Sequence, residues 1–296
     1  MQRQGRSAAV LGAGLIGFDL ATKIMRSEVL DCALVVGRDP ATLGLRQAAD
    51  LGLATSADGV SALVDAATRF DVVFDATNAL AHAEHAEALR PLKALIVDLT
   101  PSRVGKMIVP SVNGTDLPEH GDVNMVSCGG QASVPILHAI TRAHRIDYIE
   151  VVTTAAGLSV GRSTRLNLDE YVDTTQDAIR SFTGVKDVKA ILNISPARPP
   201  ATFRVAMSMC GEDLDAASVQ AAVAAAAADV RTFAAGFEVT ACVVGDGRAF
   251  VAVEVTSAGD RIPAYAGNLD IINSAAIQIA ERYVAAGTTG AMGETP

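Results

Sequence analysis

The sequence predicts an α/β protein of two domains, an N-terminal doubly wound parallel sheet followed by an α+β domain. Three observations predict it. Through about residue 130, short apolar runs alternate with helix-period stretches. A glycine-rich run, Gly12-Ala13-Gly14-Leu15-Ile16-Gly17, separates the first apolar run from the first helical stretch. After about residue 146 the apolar residues begin to alternate with polar ones, the pattern of a sheet with one covered face.

The elements follow in order. Runs 7–11, 33–36, 71–75, 95–99 and 124–127 are rich in aliphatic residues and read as buried parallel strands. Stretches 18–26, 41–51 and 79–89 read as the helices between them. Further on, 148–154, 190–194, 202–209, 237–244 and 250–256 read as strands of a mostly antiparallel sheet, with helices at 168–182 and 214–235. The alanine run at 221–228 is read as helix propensity without chemistry of its own. A long helical stretch, 268–286, is expected to return to the first domain, and 287–296 to be a frayed tail. The expected divisions are therefore 1–130, 131–267 and a tail from 287.

Composition narrows the function. Half of the 296 residues are hydrophobic and 19% are charged, enough to bury a sizeable core. The formal net charge is −9 and no Lys/Arg cluster stands out, which argues against nucleic acid or an anionic membrane as a partner. Four widely spaced cysteines, Cys32, Cys128, Cys210 and Cys242, form no Cys-x-x-Cys pair. They read as reduced thiols, neither disulfides nor zinc ligands. Residues 1–6 lead straight into the first strand without an apolar leader, so a soluble cytoplasmic protein is expected.

Gly12-Ala13-Gly14-Leu15-Ile16-Gly17 fits G-x-G-x-x-G in the context that gives the pattern meaning, after a strand and at the start of a helix. Gly12 allows the tight turn, Gly14 lets the backbone approach a pyrophosphate, and Gly17 lets helix and strand pack closely. A glycine-rich turn that binds nothing is the bland alternative. The binding reading makes the first domain a Rossmann domain. At the end of the second strand, Asp39 suits the ribose hydroxyls of NAD, whereas Arg38 suits the extra phosphate of NADP.

Cys128 stands between a strand-like run and a helical pattern opened by Gly129-Gly130-Gln131. A thiol at a helix start faces unpaired amides and the positive end of the helix dipole, and both favour the nucleophilic thiolate. A buried structural cysteine is the alternative. Gln131 and the amides after Cys128 are candidates to hold an oxyanion, although Gln131 also reads as an ordinary first-turn residue.

The run Val-Asn-Met-Val-Ser-Cys-Gly-Gly-Gln-Ala at 123–132 resembles the active-site segment of acylating acetaldehyde dehydrogenases of the meta-cleavage pathway type. Segments Asp75-Ala76-Thr77 and Asp98-Leu99-Thr100-Pro101 look like family segments on the sheet's carboxyl edge. Ser159-Val160-Gly161-Arg162-Ser163-Thr164-Arg165-Leu166-Asn167 is similar to the family's second nucleotide-binding loop. Pro263-Ala264-Tyr265-Ala266-Gly267-Asn268-Leu269-Asp270 resembles its signature before the last helix. The resemblance covers roughly residues 7–285. It implies the layout of the semialdehyde and glyceraldehyde-phosphate dehydrogenases, with a catalytic and dimerising α+β domain. It also implies oxidation of a short aldehyde through a thioester on Cys128, with NAD taking the hydride and coenzyme A the acyl group. By the family pattern, Ala13 to Ile16, the loop from Ser159 to Asn167, and Asn268 would touch the cofactor. A homodimer or larger assembly, and an aldolase partner subunit, are the associated expectations.

Two departures stand against the family pattern. The family segment similar to Pro199-Pro200-Ala201-Thr202-Phe203-Arg204-Val205 carries an acid/base aspartate where this chain has Val205, which cannot take a proton. Asp169, Glu170 and Cys210 are candidate replacements, each also readable as a surface or core residue. The stretch between Phe237 and Arg261 is shorter than the family's, and Arg162-Ser163 replaces the usual Pro-Gly. A divergent oxidoreductase that needs no coenzyme A, or a nucleotide-binding subunit without catalysis, are the readings these departures leave open.

Overall fold

The computed structural model describes residues 5–258 and 261–291, apart from the side chains of 162–163 and 288–291. The chain divides into two compact units, Met1–Met125 with Ala276–Pro296, and Val126–Ala275.

The first unit is a seven-stranded parallel sheet with helices between its strands. In chain order it runs β1 (Arg6–Leu11), α1 (Leu15–Ile24), β2 (Leu30–Val36), α2 (Leu43–Asp50), β3 (Thr55–Ser56), α3 (Ser61–Val64) and β4 (Val72–Asp75). There follow α4 (Ala79–Leu89), β5 (Leu95–Asp98), β6 (Lys106–Met107), α5 (Pro110–Asn113) and β7 (Gly121–Asn124). The strand order is β3-β2-β1-β4-β5-β7-β6. Ala8, Ala9 and Val10 of β1, and Val72, Val73 and Phe74 of β4, are fully buried. Unbroken burial along a strand is what covering both faces of a parallel sheet requires. The order reverses beside β1, so the carboxyl ends of β1 and β4 border the crevice where such sheets bind ligands.

The second unit holds α6 (Cys128–Thr141), β8 (Ile146–Ala156), α7 (Arg162–Leu166), α8 (Leu168–Thr183) and β9 (Asp187–Ser195). It continues through β10 (Phe203–Gly211), α9 (Ala216–Arg231), β11 (Phe237–Gly245) and β12 (Arg248–Val255). Its sheet order is β11-β12-β10-β8-β9, antiparallel except for the parallel β8/β9 pair. In β10, Phe203, Val205, Met207 and Met209 are buried while Arg204 and Ser208 are exposed, the period of two expected for one covered face. Helix α6 packs against α8 and α9. Asp246 and Gly247, with φ of +51° and +69°, join β11 to β12. Two left-handed residues suit a tight hairpin.

Helix α10 (Gly267–Ala291) closes the chain. In the first unit, its Arg282 donates to the Pro110 carbonyl at 2.6 Å and its Tyr283 hydroxyl to that of Glu119 at 2.6 Å.

Three expectations need correction. The strand expected at 124–127 ends at Asn124, because Val126 takes a φ of +62° and Ser127 becomes the cap of α6. The frayed tail expected from residue 287 instead continues as helix to Ala291, since 283–291 contains no proline to stop it; the rest of that tail lies outside the described residues. The second compact unit begins at Val126, ahead of the expected 131, and ends at Ala275 within α10, with α6 packed on α8 and α9 inside it. Among the described residues, no helix is long and apolar enough to cross a membrane.

Candidate active site

The glycines after β1 divide by what demands them. Gly12 has a φ of +109°, and a Cβ there would lie 2.7 Å from the Ala76 carbonyl. A Cβ on Gly17 would lie 1.7 Å from the Gly12 oxygen. The fold itself therefore needs these two. Gly14 is different, because no heavy atom lies within 4 Å of its missing Cβ. The space is kept clear against backbone at the start of α1, where amides present the positive end of the helix. That cradle fits a pyrophosphate. Around it Ala13 is buried, Ile16 half-buried and Leu15 exposed. Asp39 is exposed just beyond β2, and one of its oxygens accepts the Ala41 amide at 2.8 Å.

The same unit carries a charged cluster that sequence reading missed. Asp75, Asp98 and Asn124 end β4, β5 and β7 as register neighbours, and all three are fully buried. His82 of α4, also fully buried, has Nδ1 2.9 Å from Asp75 and Nε2 2.8 Å from Asp122 and 3.4 Å from Asp98. His85 Nδ1 lies 2.9 Å from the same Asp75 oxygen. Burial would strip the proton from His82, but its bonds to Asp122 and Asp75 and the charge of Asp98 hold its value up at about 10. Asp75 is pulled far below the carboxylate range by His82, His85 and Thr77, against its burial. Asp98 is pushed up to about 6 by burial, only partly offset by His82 and Ser102. Helix α4 reads as a short alanine-rich helix with two histidines, and nothing in that pattern announces three carboxylates from other strands.

In the second unit, Cys128 is the first residue of α6. The Ser127 hydroxyl accepts the Gly130 amide at 2.9 Å, a standard N-cap. The left-handed turn at Val126 is costly for a β-branched residue. It is packed in place, because a Cβ on Gly130 would lie 2.6 Å from Val126 Cγ1. Cys128 remains partly accessible. Its sulfur lies 3.5 Å from the Tyr171 hydroxyl of α8, and that hydroxyl accepts the Gly129 amide at 3.1 Å. Thr175 Oγ1 donates to the Tyr171 carbonyl and lies 2.7 Å from the Ser127 hydroxyl, tying α8 to the cap of α6. Burial pushes the resting thiol up, and Tyr171 with the amides of Gly129 and Cys128 offsets only part of that. Gln131, one turn along, is fully buried and donates its amide to the Ser127 carbonyl at 2.8 Å.

Val205 is fully buried in β10, opposite Thr153 of β8. Thr153 belongs to the Cys128 surroundings, since a Cβ on Gly129 would meet its hydroxyl at 2.3 Å and that of Tyr171 at 2.6 Å. The candidate replacements for a base do not gather there. Asp169 is exposed and Glu170 half-buried in the first turn of α8, and Cys210 sits beside Tyr148 toward the other end of β10. His138 and His144 are engaged elsewhere, with the Phe182 carbonyl at 2.7 Å and Ser218 at 3.0 Å. Tyr171 is the residue that sequence reading missed.

The loop from Ser159 to Asn167 is folded on itself. Ser159 donates to the Ala156 carbonyl, and Arg165 to those of Val160 and Gly157 at 3.2 and 2.7 Å. Arg165 is thus a loop brace. Ser159, Val160 and Asn167 are buried, Gly161 and Thr164 half-buried, and Leu166 exposed. The side chains of Arg162 and Ser163 lie outside the described residues. Asn268, at the start of α10, donates to the Ser159 carbonyl at 3.0 Å. Its Oδ1 is buried without a hydrogen-bond partner, an acceptor that a ligand donor would satisfy.

The family model for the prokaryotic acetaldehyde dehydrogenase dimerisation region matches residues 128–263. The acetaldehyde dehydrogenase of Streptomyces griseus is 53% identical over 279 residues, covering 94% of this chain and 90% of that one. That of Pectobacterium atrosepticum is 41% identical over 276 residues, covering 92% and 93%. An aspartate semialdehyde dehydrogenase II from Vibrio cholerae, solved with ASA, shares the fold at 14% identity, with a TM-score of 0.66 over 95% of this chain and 99% of that one. A Rossmann-type sheet, a mixed-sheet second unit and relatives this similar over nearly the whole length make the chain an oxidoreductase belonging to the acetaldehyde dehydrogenase family.

Proposed function

We propose that this enzyme is an NAD-dependent acylating aldehyde dehydrogenase, converting a short aldehyde and coenzyme A to acyl-CoA through a thioester on Cys128. The observation that carries the reading is a partly accessible cysteine at a helix start, its sulfur within reach of a buried hydroxyl. The sulfur attacks the aldehyde carbon and the carbonyl pair moves to oxygen. The amides at the start of α6, with Gln131, hold that oxyanion. Collapse of the tetrahedral carbon restores the carbonyl as a thioester when its hydrogen leaves with both electrons. NAD supplies the hydride acceptor and coenzyme A the thiol that releases the acyl group. Gly12 to Gly17 hold the pyrophosphate, with the space at Gly14 supporting that role. Asp39 serves the ribose, favouring NAD over NADP. The loop from Ser159 to Asn167 and the buried acceptor of Asn268 serve the cofactor as well. The family model's dimerisation region supports a homodimer. The aldolase subunit expected from the resemblance, and a cytoplasmic location suggested by four free cysteines, belong to the same proposal.

One observation favours a second reading. With apolar Val205 buried near Thr153, the second reading is a divergent NAD(P)-dependent oxidoreductase that acts on another aldehyde without coenzyme A. The test is NADH formation with NAD, coenzyme A and a panel of short and acidic aldehydes, run beside Cys128→Ala. Turnover that requires coenzyme A and vanishes in the variant supports the first reading. Turnover indifferent to coenzyme A supports the second.

A further inference from the structure

We propose that Tyr171 is a catalytic residue, whose hydroxyl donates the hydrogen bond that holds the Cys128 sulfur as a thiolate for attack. The inference rests on the reading of Cys128 as nucleophile. A phenol carries one proton and two lone pairs. The Gly129 amide donates to the Tyr171 oxygen at 3.1 Å, and the Thr153 hydroxyl is hydrogen-bonded to the same hydroxyl. An amide can only donate, so it takes a lone pair of the phenol oxygen and leaves the phenol proton for the sulfur 3.5 Å away. The donor is also fixed in place. Tyr171 is 5% exposed, and Thr175 links its backbone to the Ser127 cap beside Cys128.

The chemistry is consistent with that direction. Burial and the neighbouring sulfur push the Tyr171 hydroxyl well above its ordinary value, so it keeps its proton and remains a donor at working pH. Among the described residues, the groups that pull Cys128 down are Tyr171 and the amides of Gly129 and Cys128, all of them neutral. The thiol proton leaves to solvent past the accessible side of Cys128, and the sulfur then attacks as an anion bound by three neutral donors. Such a site forms its nucleophile with no carboxylate at position 205.

The test is the pH dependence of Cys128 alkylation by iodoacetamide on the full chain, with Cys128→Ala as the blank for Cys32, Cys210 and Cys242. Tyr171→Phe removes one oxygen. It should move the alkylation profile to higher pH and slow alkylation at neutral pH by about ten- to a hundredfold, the scale of one hydrogen bond to a charged group. NADH formation should fall in parallel while NAD affinity stays. Thr153→Val keeps the phenol and loses a side-chain hydrogen bond that positions it, so a smaller shift in the same direction is expected. It decides the matter should Tyr171→Phe fail to fold. An alkylation profile unmoved in Tyr171→Phe, or in Thr153→Val alone if only that variant folds, overturns the proposal whatever happens to turnover. Full activity in Cys128→Ala would instead overturn the covalent reading beneath it.

Discussion

His82 and Cys128 are both enclosed titratable groups, and the protein treats them in opposite ways. His82 has lost all contact with water, yet three carboxylates keep it charged. Cys128 is partly accessible, yet burial pushes its resting thiol toward neutrality, and the neutral donors beside it, Tyr171 and the amides of Gly129 and Cys128, offset only part of that. Burial sets the cost of a charge in both places, and the partners decide whether the cost is met. The first arrangement suits a permanent ion that holds strand ends together. The second suits a group that must become charged only when it reacts.

The contrast can be broken most severely at the sulfur. Cys128→Ala should reduce coenzyme-A-dependent NADH formation by on the order of 10⁴-fold or more, while calorimetric titration still detects NAD binding. Removing the other centre should damage folding instead. His82→Ala leaves Asp75, Asp98 and Asp122 without their shared cation, at a cost of roughly 3–5 kcal/mol, measured by denaturant unfolding. The pH dependence sharpens the point. The value of His82 is raised from 6.5 to about 10, so its contribution is complete below pH 6.5 and is lost as pH rises toward 10. Unfolding free energy should decline across that window in the native chain, and less steeply in His82→Ala.

Smaller changes separate binding from framework. Gly14→Ala adds a methyl where nothing lies within 4 Å, so stability should hold while NAD affinity falls by about tenfold. An unchanged affinity would show that the cradle does not receive the cofactor. Ser127→Ala removes the cap of α6 and should cost about 1 kcal/mol, read as a shift in the unfolding midpoint with turnover largely kept.

How much of this was legible in the sequence depends on the distance over which each feature is written. The strand–helix alternation and the covered face of β10 repeat every two to four residues, so periodicity reveals them. Gly12, Gly14 and Gly17 are legible because a six-residue pattern carries the turn, the approach and the packing. Ser127 as a cap is local too, but the left-handed turn at Val126 hid it, since β-branched residues avoid that region. Tyr171 stands 43 residues from Cys128 and Asp122 stands 40 from His82. Contacts across such distances are made by the packing of α8 on α6 and by the register of β4, β5 and β7. No local pattern encodes either. The helix start alone suggested a reactive thiol; only the three-dimensional surroundings reveal how much burial opposes it and which hydroxyl answers.

The first unit takes its residues from both ends of the chain, and this has a consequence during synthesis. Its sheet strands leave the ribosome ahead of the second unit, yet the stretch from Ala276 that completes it follows that unit. The anchors that Arg282 gives Pro110 and Tyr283 gives Glu119 cannot form until the whole second unit has been made. The nascent sheet must therefore wait, incomplete on one flank, while some 150 further residues emerge at the ordinary pace of translation. A chain stalled or clipped just before Ala276 would carry both halves of the chemistry and still leave that flank open.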